Sequence, residues 1–143
     1  MSEVDPVGTA DAVDGPGAVV EVRTSASAAL IPTIRAVASD LAARADFDLD
    51  AISDLRMAVD EACATLVDVA SPGSGLRCAF RVHGGVIEVE AQVETSGPDS
   101  TVSTDTFGWR VLQTLADEVE LSGTDGRTVG IRLNKRAADP AHR

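Results

Sequence analysis

The sequence predicts an α/β two-layer sandwich in which a mixed, mainly antiparallel sheet carries its helices on one face. Two patterns lead to this fold class. Several short segments alternate apolar and polar residues, which is typical of half-buried strands, and three longer segments repeat apolar residues every three or four positions, which is typical of amphipathic helices. The segments follow the order β-α-α-β-β-α-β-β, and 143 residues are enough for one such domain.

The first strand is expected at 18–23, and an apolar stripe along 30–45 predicts the first helix. Ser25 or Ser27 is expected to cap this helix. Pro32 then lies in the first turn, where its missing N–H costs little. The next helix follows directly, so two helices separate the first two strands.

The second helix is expected over 50–70, with Asp50 as its cap. One side of it is apolar, and the other side is a mainly acidic and polar strip that faces away from the sheet. On that strip Glu61 and Thr65 are i, i+4 neighbours, so a carboxylate that can act as a general base stands beside an oxygen ligand for a hard cation. The alternative is a solvated helix face without chemistry. The strip consists of Asp54, Met57, Glu61, Thr65 and Asp68.

A hairpin with one buried face is expected from strands 76–82 and 87–93, which turn at residues 83–85. Arg77 and Arg81 are expected to pair with facing glutamates on the solvated face. The polar loop 95–105 that follows is long enough to suggest a functional role.

The third helix is expected to carry its apolar side chains on one face, with Trp109 in the core. Two strands at 119–122 and 128–134 then turn at residues 124–126. The residues of the apolar helix face are Gly108, Val111, Leu112, Leu115 and Val119.

Composition restricts the classes of function. Twelve basic and 23 acidic residues give a net charge of −11, which disfavours direct binding to nucleic acid and to anionic membranes and suits a basic protein surface. No apolar run approaches the roughly 20 residues of a membrane helix, and the amino terminus lacks a signal-peptide pattern, so a cytoplasmic protein is expected. Cys63 and Cys78 fit a reduced interior without a zinc site, and whether they respond to redox change stays open.

The chain divides into three parts by composition. Residues 1–16 are acidic and lack a periodic apolar face, which predicts a disordered arm. Residues 17–136 form the expected domain, and residues 137–143 are expected to be a flexible tail.

Three segments resemble the anti-sigma factors of the RsbW type, which belong to the Bergerat-fold, histidine-kinase-like ATPases. The resemblance covers about residues 18–136 and includes the hairpin and loop between the segments. The segments are DLRMAVDEACATLV (54–67), FGWRVLQTLADEVEL (107–121) and GRTVGIRLNKR (126–136).

This resemblance implies a partner-switching role. Such proteins hold a sigma factor away from RNA polymerase, are released by an anti-anti-sigma partner, and usually form homodimers. Many also use ATP with magnesium to phosphorylate that partner on Ser or Thr.

The resemblance also assigns roles to individual residues. Glu61 takes the place of the catalytic base, and Thr65 stands where the family has the magnesium-binding Asn. Thr95 replaces the Asp that binds the adenine amino group, Gly97 matches the first glycine of that segment, and Asp99 replaces the second. At the start of the last helix, Gly108 alone keeps a glycine of the family's Gly-x-Gly, opposite Thr106-Phe107-Gly108.

These replacements favour an anti-sigma factor that acts by protein binding with a degenerate nucleotide pocket. An unpaired buried polar group costs roughly 1–3 kcal/mol, so Thr95 in place of Asp weakens adenine binding, and Asp99 would repel phosphate. The alternatives are an active ATP-dependent serine kinase and an unrelated small α/β sandwich. An anti-anti-sigma protein is disfavoured because no strand-to-helix segment presents a serine for phosphorylation.

Overall fold

The computed structural model describes residues 18–97, 100–123 and 126–138. Within these ranges the element order is the predicted one, with a short 3-10 turn (Ala28–Leu30) added before the first helix. Ala137, the first residue of the expected tail, donates its N–H to Gly85 O at 2.8 Å. The expected acidic arm, residues 1–16, and residues 139–143 of that tail lie outside the described residues. The elements are β1 (Ala18–Ser25), α1 (Ile31–Arg44), α2 (Leu49–Val69), β2 (Gly75–His83), β3 (Val86–Glu94), α3 (Phe107–Leu115), β4 (Glu118–Ser122) and β5 (Thr128–Arg136).

The five strands form one sheet in the order β1-β2-β3-β5-β4, and each neighbouring pair is antiparallel. The expected hairpin is confirmed as β2 and β3, in which His83 lies opposite Val86. Gly84 and Gly85 form the two-residue turn with φ of 53° and 77°, the left-handed geometry that glycine adopts at no steric cost.

The core lies between one face of this sheet and the three helices of the described residues. Inward residues of β2 and β3 are buried at every second position, as the alternation predicts. Trp109 is 7% exposed, so its expected core role is confirmed. The largest fully buried side chains are Phe80, Ile34, Leu55, Leu66, Leu76, Ile87, Leu112, Ile131 and Leu133, with Val59, Val89 and Val93.

Two predicted helix starts differ from the structure. Ser27 caps the 3-10 turn by accepting from Ala29 N, and α1 begins at Ile31 with Pro32 in its first turn. The predicted cap Asp50 is wrong: Asp48 has the extended backbone of an N-cap, and its Oδ1 accepts from Ala51 N at 2.8 Å. Asp50 lies in the first turn of α2, where its charge is favourable beside the positive end of the helix dipole.

The end of α3 also differs from the prediction. Val119 belongs to β4, not to the helix face, because the chain becomes extended at Ala116. Asp117 N then donates to Asn134 O at 2.9 Å and joins this segment to β5.

The outer face of the sheet carries a set of exposed ion pairs. Arg81 lies opposite Glu88, with Nε 3.7 Å from the carboxylate, as predicted. Arg77 lies opposite Gln92 instead of a glutamate, and it reaches across to Glu21 of β1 at 3.0 Å. Its predicted partner is therefore wrong, because the register places the amide and not a carboxylate at that position. Among the described residues, no helix is both long and apolar enough to cross a membrane.

Candidate functional site

Glu61, Thr65 and Gly108 meet where α2 passes the start of α3. Thr65 Oγ1 donates to Glu61 Oε2 at 3.3 Å, across one turn of α2. A Cβ atom placed on Gly108 would lie 2.5 Å from that same Oε2, so only glycine admits the carboxylate here. Glu61 and Thr65 are both half-buried, and Glu61 borders α3, so the alternative of a fully solvated helix face does not hold at these two positions.

The start of α3 is well defined by its cap. Thr106 has extended backbone, and its Oγ1 accepts from Trp109 N at 3.0 Å. The Glu61 carboxylate therefore lies at the positive end of the α3 dipole, where a negative charge is favourable. The same end of a helix, approached over a glycine, is suited to a phosphate group.

Thr95 and Gly97 form a second group of predicted site residues, just after β3. Thr95 N donates to Arg127 O at 2.7 Å, which fastens the loop to the residue before β5. Thr95 Oγ1 lies 3.3 Å from Gly97 O and 3.4 Å from Arg127 O, so its one proton is shared between two backbone carbonyls.

These two loop residues line a hollow of about 260 Å³. Its walls also include the apolar side chains of Val102, Leu121 and Val129. Glu61, Thr65 and Gly108 are not among its described lining residues, so the structure gathers the predicted cofactor residues into two groups. Asp99 lies outside the described residues.

The described residues contain no group of three or more His, Cys, Asp or Glu side chains that could hold a metal ion. Thr65, the predicted magnesium ligand, has its hydroxyl oxygen beside the Glu61 carboxylate. Magnesium takes few protein ligands when substrate phosphates and water complete its shell, so a single hydroxyl ligand such as Thr65 is compatible with a nucleotide-bound ion.

A second contact between α2 and α3 was not expected from the sequence. Lys135 Nζ donates to Leu115 O at 2.9 Å and lies 3.3 Å from Asp54 Oδ2. The strand prediction ended at residue 134, one position before this lysine. The alternation of β5 could have indicated this contact, because it puts the charged Lys135 at a position that faces the core.

Cys63 and Cys78 are both free and fully buried, one on α2 and one on β2. A hydrogen bond between the two thiols raises the pKa of Cys78 well above its ordinary value, and burial raises it further. Both causes keep the thiol protonated, which makes it a poor nucleophile.

Known proteins are similar to this chain in sequence and in fold. The family described as "Histidine kinase-like ATPase domain" matches residues 24–133. The anti-sigma-F factor RsbW of Mycobacterium tuberculosis is 33% identical over 126 residues, which cover 83% of this chain and 74% of the relative. The serine-protein kinase RsbW of Bacillus pumilus is 28% identical over 85% of this chain and 90% of the relative.

A crystal structure of the RsbU and RsbW domains of Rv1364c from Mycobacterium tuberculosis superposes with a TM-score of 0.57. The match covers 83% of this chain and 33% of that longer one, and the 17% identity makes it a likeness of fold alone. The family match spans most of the chain, and the 33% identity covers most of a curated relative. The chain therefore belongs to the histidine kinase-like ATPase domain family, and within it to the RsbW-type group.

Proposed function

We propose that this protein is an anti-sigma factor that binds an alternative sigma factor and releases it when an anti-anti-sigma protein takes its place. The observation that carries the proposal is the 33% identity to an anti-sigma-F factor over 83% of the chain. The net charge of −11 supports it, because a strongly acidic protein is electrostatically complementary to a basic sigma-factor surface. The proposal includes a homodimer in the cytoplasm.

Isothermal titration calorimetry tests the anti-sigma role. The purified chain is titrated with each alternative sigma factor of its own organism at low salt, where electrostatic attraction is strongest. We expect one of them to bind, and a cognate anti-anti-sigma protein to displace it. The proposal fails if none binds. Light scattering of the free chain at several concentrations tests the homodimer.

We propose further that ATP binds between the two groups of residues. The hollow at Thr95 and Gly97 has the apolar walls that suit an adenine base. Gly108 and the start of α3 suit the phosphates, and Thr65 would hold magnesium. ATP supplies a phosphoryl group that can be transferred to a hydroxyl.

The start of α3 leaves room for a phosphate on one condition. The Glu61 carboxylate lies directly over Gly108, and its charge would repel a phosphate there. The obstructing atoms are the far end of a flexible side chain, not backbone, so the carboxylate can turn away when the nucleotide enters. The space at Gly108 is therefore available at small cost.

A second candidate function is phosphorylation of the anti-anti-sigma protein on Ser or Thr. It is favoured by the position of Glu61, a carboxylate beside a helix start that suits phosphate. In this role Glu61 accepts the proton of the substrate hydroxyl as general base.

Calorimetry with Mg-ATP and a phosphotransfer assay separate binding from catalysis. Glu61→Gln keeps the shape of the side chain and removes its basicity, so we expect ATP to bind and transfer to be lost. Asp40→Asn is the matched control, because Asp40 lies on α1 and pairs only locally with Arg44 at 2.8 Å. If the unsubstituted chain binds ATP without any transfer, the kinase candidate is wrong and the anti-sigma proposal is untouched.

A further inference from the structure

Lys135 occupies an inward position of β5. Val129, Ile131 and Leu133 precede it at alternate positions, and all three are buried in the core. In the register with β3, Lys135 lies opposite Ile87, which is 0% exposed. Its side chain is only 14% exposed. A lysine is withdrawn from water in this way only when its ammonium group finds acceptors.

The two acceptors belong to two different helices. Leu115 is the last residue of α3, and its carbonyl is one of those that a helix end leaves without an intrahelical partner. The Lys135 ammonium satisfies it at 2.9 Å and lies favourably at the negative end of the helix dipole. Asp54 of α2 is the second acceptor, at 3.3 Å.

The same two helices meet again at Glu61 and Gly108. Asp54 and Glu61 are seven positions apart on α2, and Gly108 and Leu115 are seven positions apart on α3. At 1.5 Å per residue each interval is about 10 Å, so the two contacts lie at matched heights along the antiparallel pair. Lys135 thus holds one end of the pair, and the candidate site lies at the other.

The shortness of α3 gives this end contact its importance. A helix of nine residues has little stability of its own, so its position depends on what fixes its ends. Thr106 caps the first turn from within the same segment, whereas Lys135 ties the last turn to the sheet and to α2.

We propose that Lys135 is a positioning residue for the candidate site: by holding α2 and α3 together at Asp54 and Leu115, it sets how closely Gly108 approaches Glu61. Its effect on ATP rests on the proposed nucleotide binding, whereas its effect on α3 does not.

Amide hydrogen exchange tests the positioning directly. In Lys135→Met, which is one atom shorter and keeps the unbranched apolar stem without the charge, we expect the amides of Trp109 and Arg110 to exchange about tenfold faster, while the amides of β2 and β3 keep their rates. The Gly108 amide resonance is expected to shift. Lys135→Arg, which can reach both acceptors, is expected to restore most of the protection.

Arg132→Met is the matched control. Arg132 lies on the same strand, three residues earlier, and its partners Glu90 and Glu120 are on the outer face of the sheet. This variant loses the same charge and is expected to leave the amides of α3 unchanged. Mg-ATP affinity is expected to fall about fivefold to tenfold in Lys135→Met and to stay constant in Arg132→Met.

Unchanged exchange at Trp109 and Arg110 in Lys135→Met would overturn the proposal, as would equal acceleration of all amides including those of β2 and β3. If Lys135→Met does not fold, Asp54→Asn replaces it: faster exchange confined to α3 supports the proposal, and unchanged exchange overturns it. If the unsubstituted chain binds no Mg-ATP, the nucleotide proposal fails while the exchange data still decide the role of Lys135.

Discussion

Arg132 and Lys135 lie three residues apart on β5 and face opposite sides of the sheet. Arg132 is 51% exposed and bridges Glu90 and Glu120 at 3.4 and 2.9 Å. Lys135 is 14% exposed and joins two helices. Exposed ion pairs contribute little because water and salt screen them, whereas a withdrawn ammonium is costly to leave without its acceptors. Burial, and not the number of ion pairs, therefore distinguishes the interface between α2 and α3 from the outer face of the sheet.

The largest expected effect on stability comes from removing a buried side chain of α3. Leu112 of α3 is 0% exposed, and Leu112→Ala is expected to lower the free energy of unfolding by about 2–5 kcal/mol through lost burial and a residual cavity. Urea denaturation measures it, with the neighbouring exposed Gln113→Ala as control. A loss equal to that of the control would mean that α3 contributes no packing to the core.

The next effect is on the pH dependence of stability, and it comes from Cys78, whose thiol is buried on the inner face of β2. Because the pKa of Cys78 is raised in the folded protein, the thiol ionises first in the unfolded chain. Its contribution is complete below the unfolded pKa of about 8.5 and is lost as pH rises from there towards the folded pKa, at up to about 1.4 kcal/mol per pH unit.

Urea denaturation at pH 7 to about pH 10 measures this slope. In Cys78→Ala the free energy of unfolding is expected to vary less with pH over the same range, although it starts lower. Parallel curves for the two proteins would show that Cys78 is not the group responsible. Arg81→Ala on the outer face of the same strand serves as control and should leave the slope unchanged.

Gly108→Ala is expected to have a smaller effect on stability and a larger effect on Mg-ATP affinity. The added methyl group meets the Glu61 carboxylate, which must turn away. We expect the free energy of unfolding to change by less than about 1 kcal/mol, and Mg-ATP affinity to fall about tenfold because the methyl group occupies the place where the phosphate would approach; calorimetry measures the affinity. In a Glu61→Ala background the same substitution should raise the free energy of unfolding by up to about 1 kcal/mol, because the clashing atoms are gone and alanine favours a helix more than glycine does.

The smallest effect is expected on the outer face. Arg132→Ala removes two exposed ion pairs and should lower the free energy of unfolding by less than about 1 kcal/mol. Repeating the measurement at about 1 M salt should abolish most of the difference. A loss above about 2 kcal/mol, in contrast, would mean that the ion pairs of this face stabilise the fold as much as the contacts between α2 and α3 do.

Local patterns predicted most of the fold. Alternation in 76–82 and 87–93 identified the hairpin, and Gly84 and Gly85 identified its turn, because these signals depend only on residues a few positions apart. The errors also have local causes. Asp48 and Asp50 are both suitable caps, and only the backbone conformation at residue 48 decides between them.

The candidate site shows where this kind of prediction ends. Glu61 and Thr65 are neighbours by helical periodicity, so the sequence alone placed them side by side. The sequence also predicted the three helices, the strand order along the chain and the buried faces of β2 and β3, but of the face predicted for α3 only Leu112 is buried.

Tertiary structure alone decided that Glu61 meets Gly108, that Arg77 faces Gln92, and that Lys135 reaches both Asp54 and Leu115. Periodicity fixes which way a side chain points from its own element, but not which distant element lies there. That depends on the packing of α2 and α3 on a closed core, where contacts join residues up to 81 positions apart.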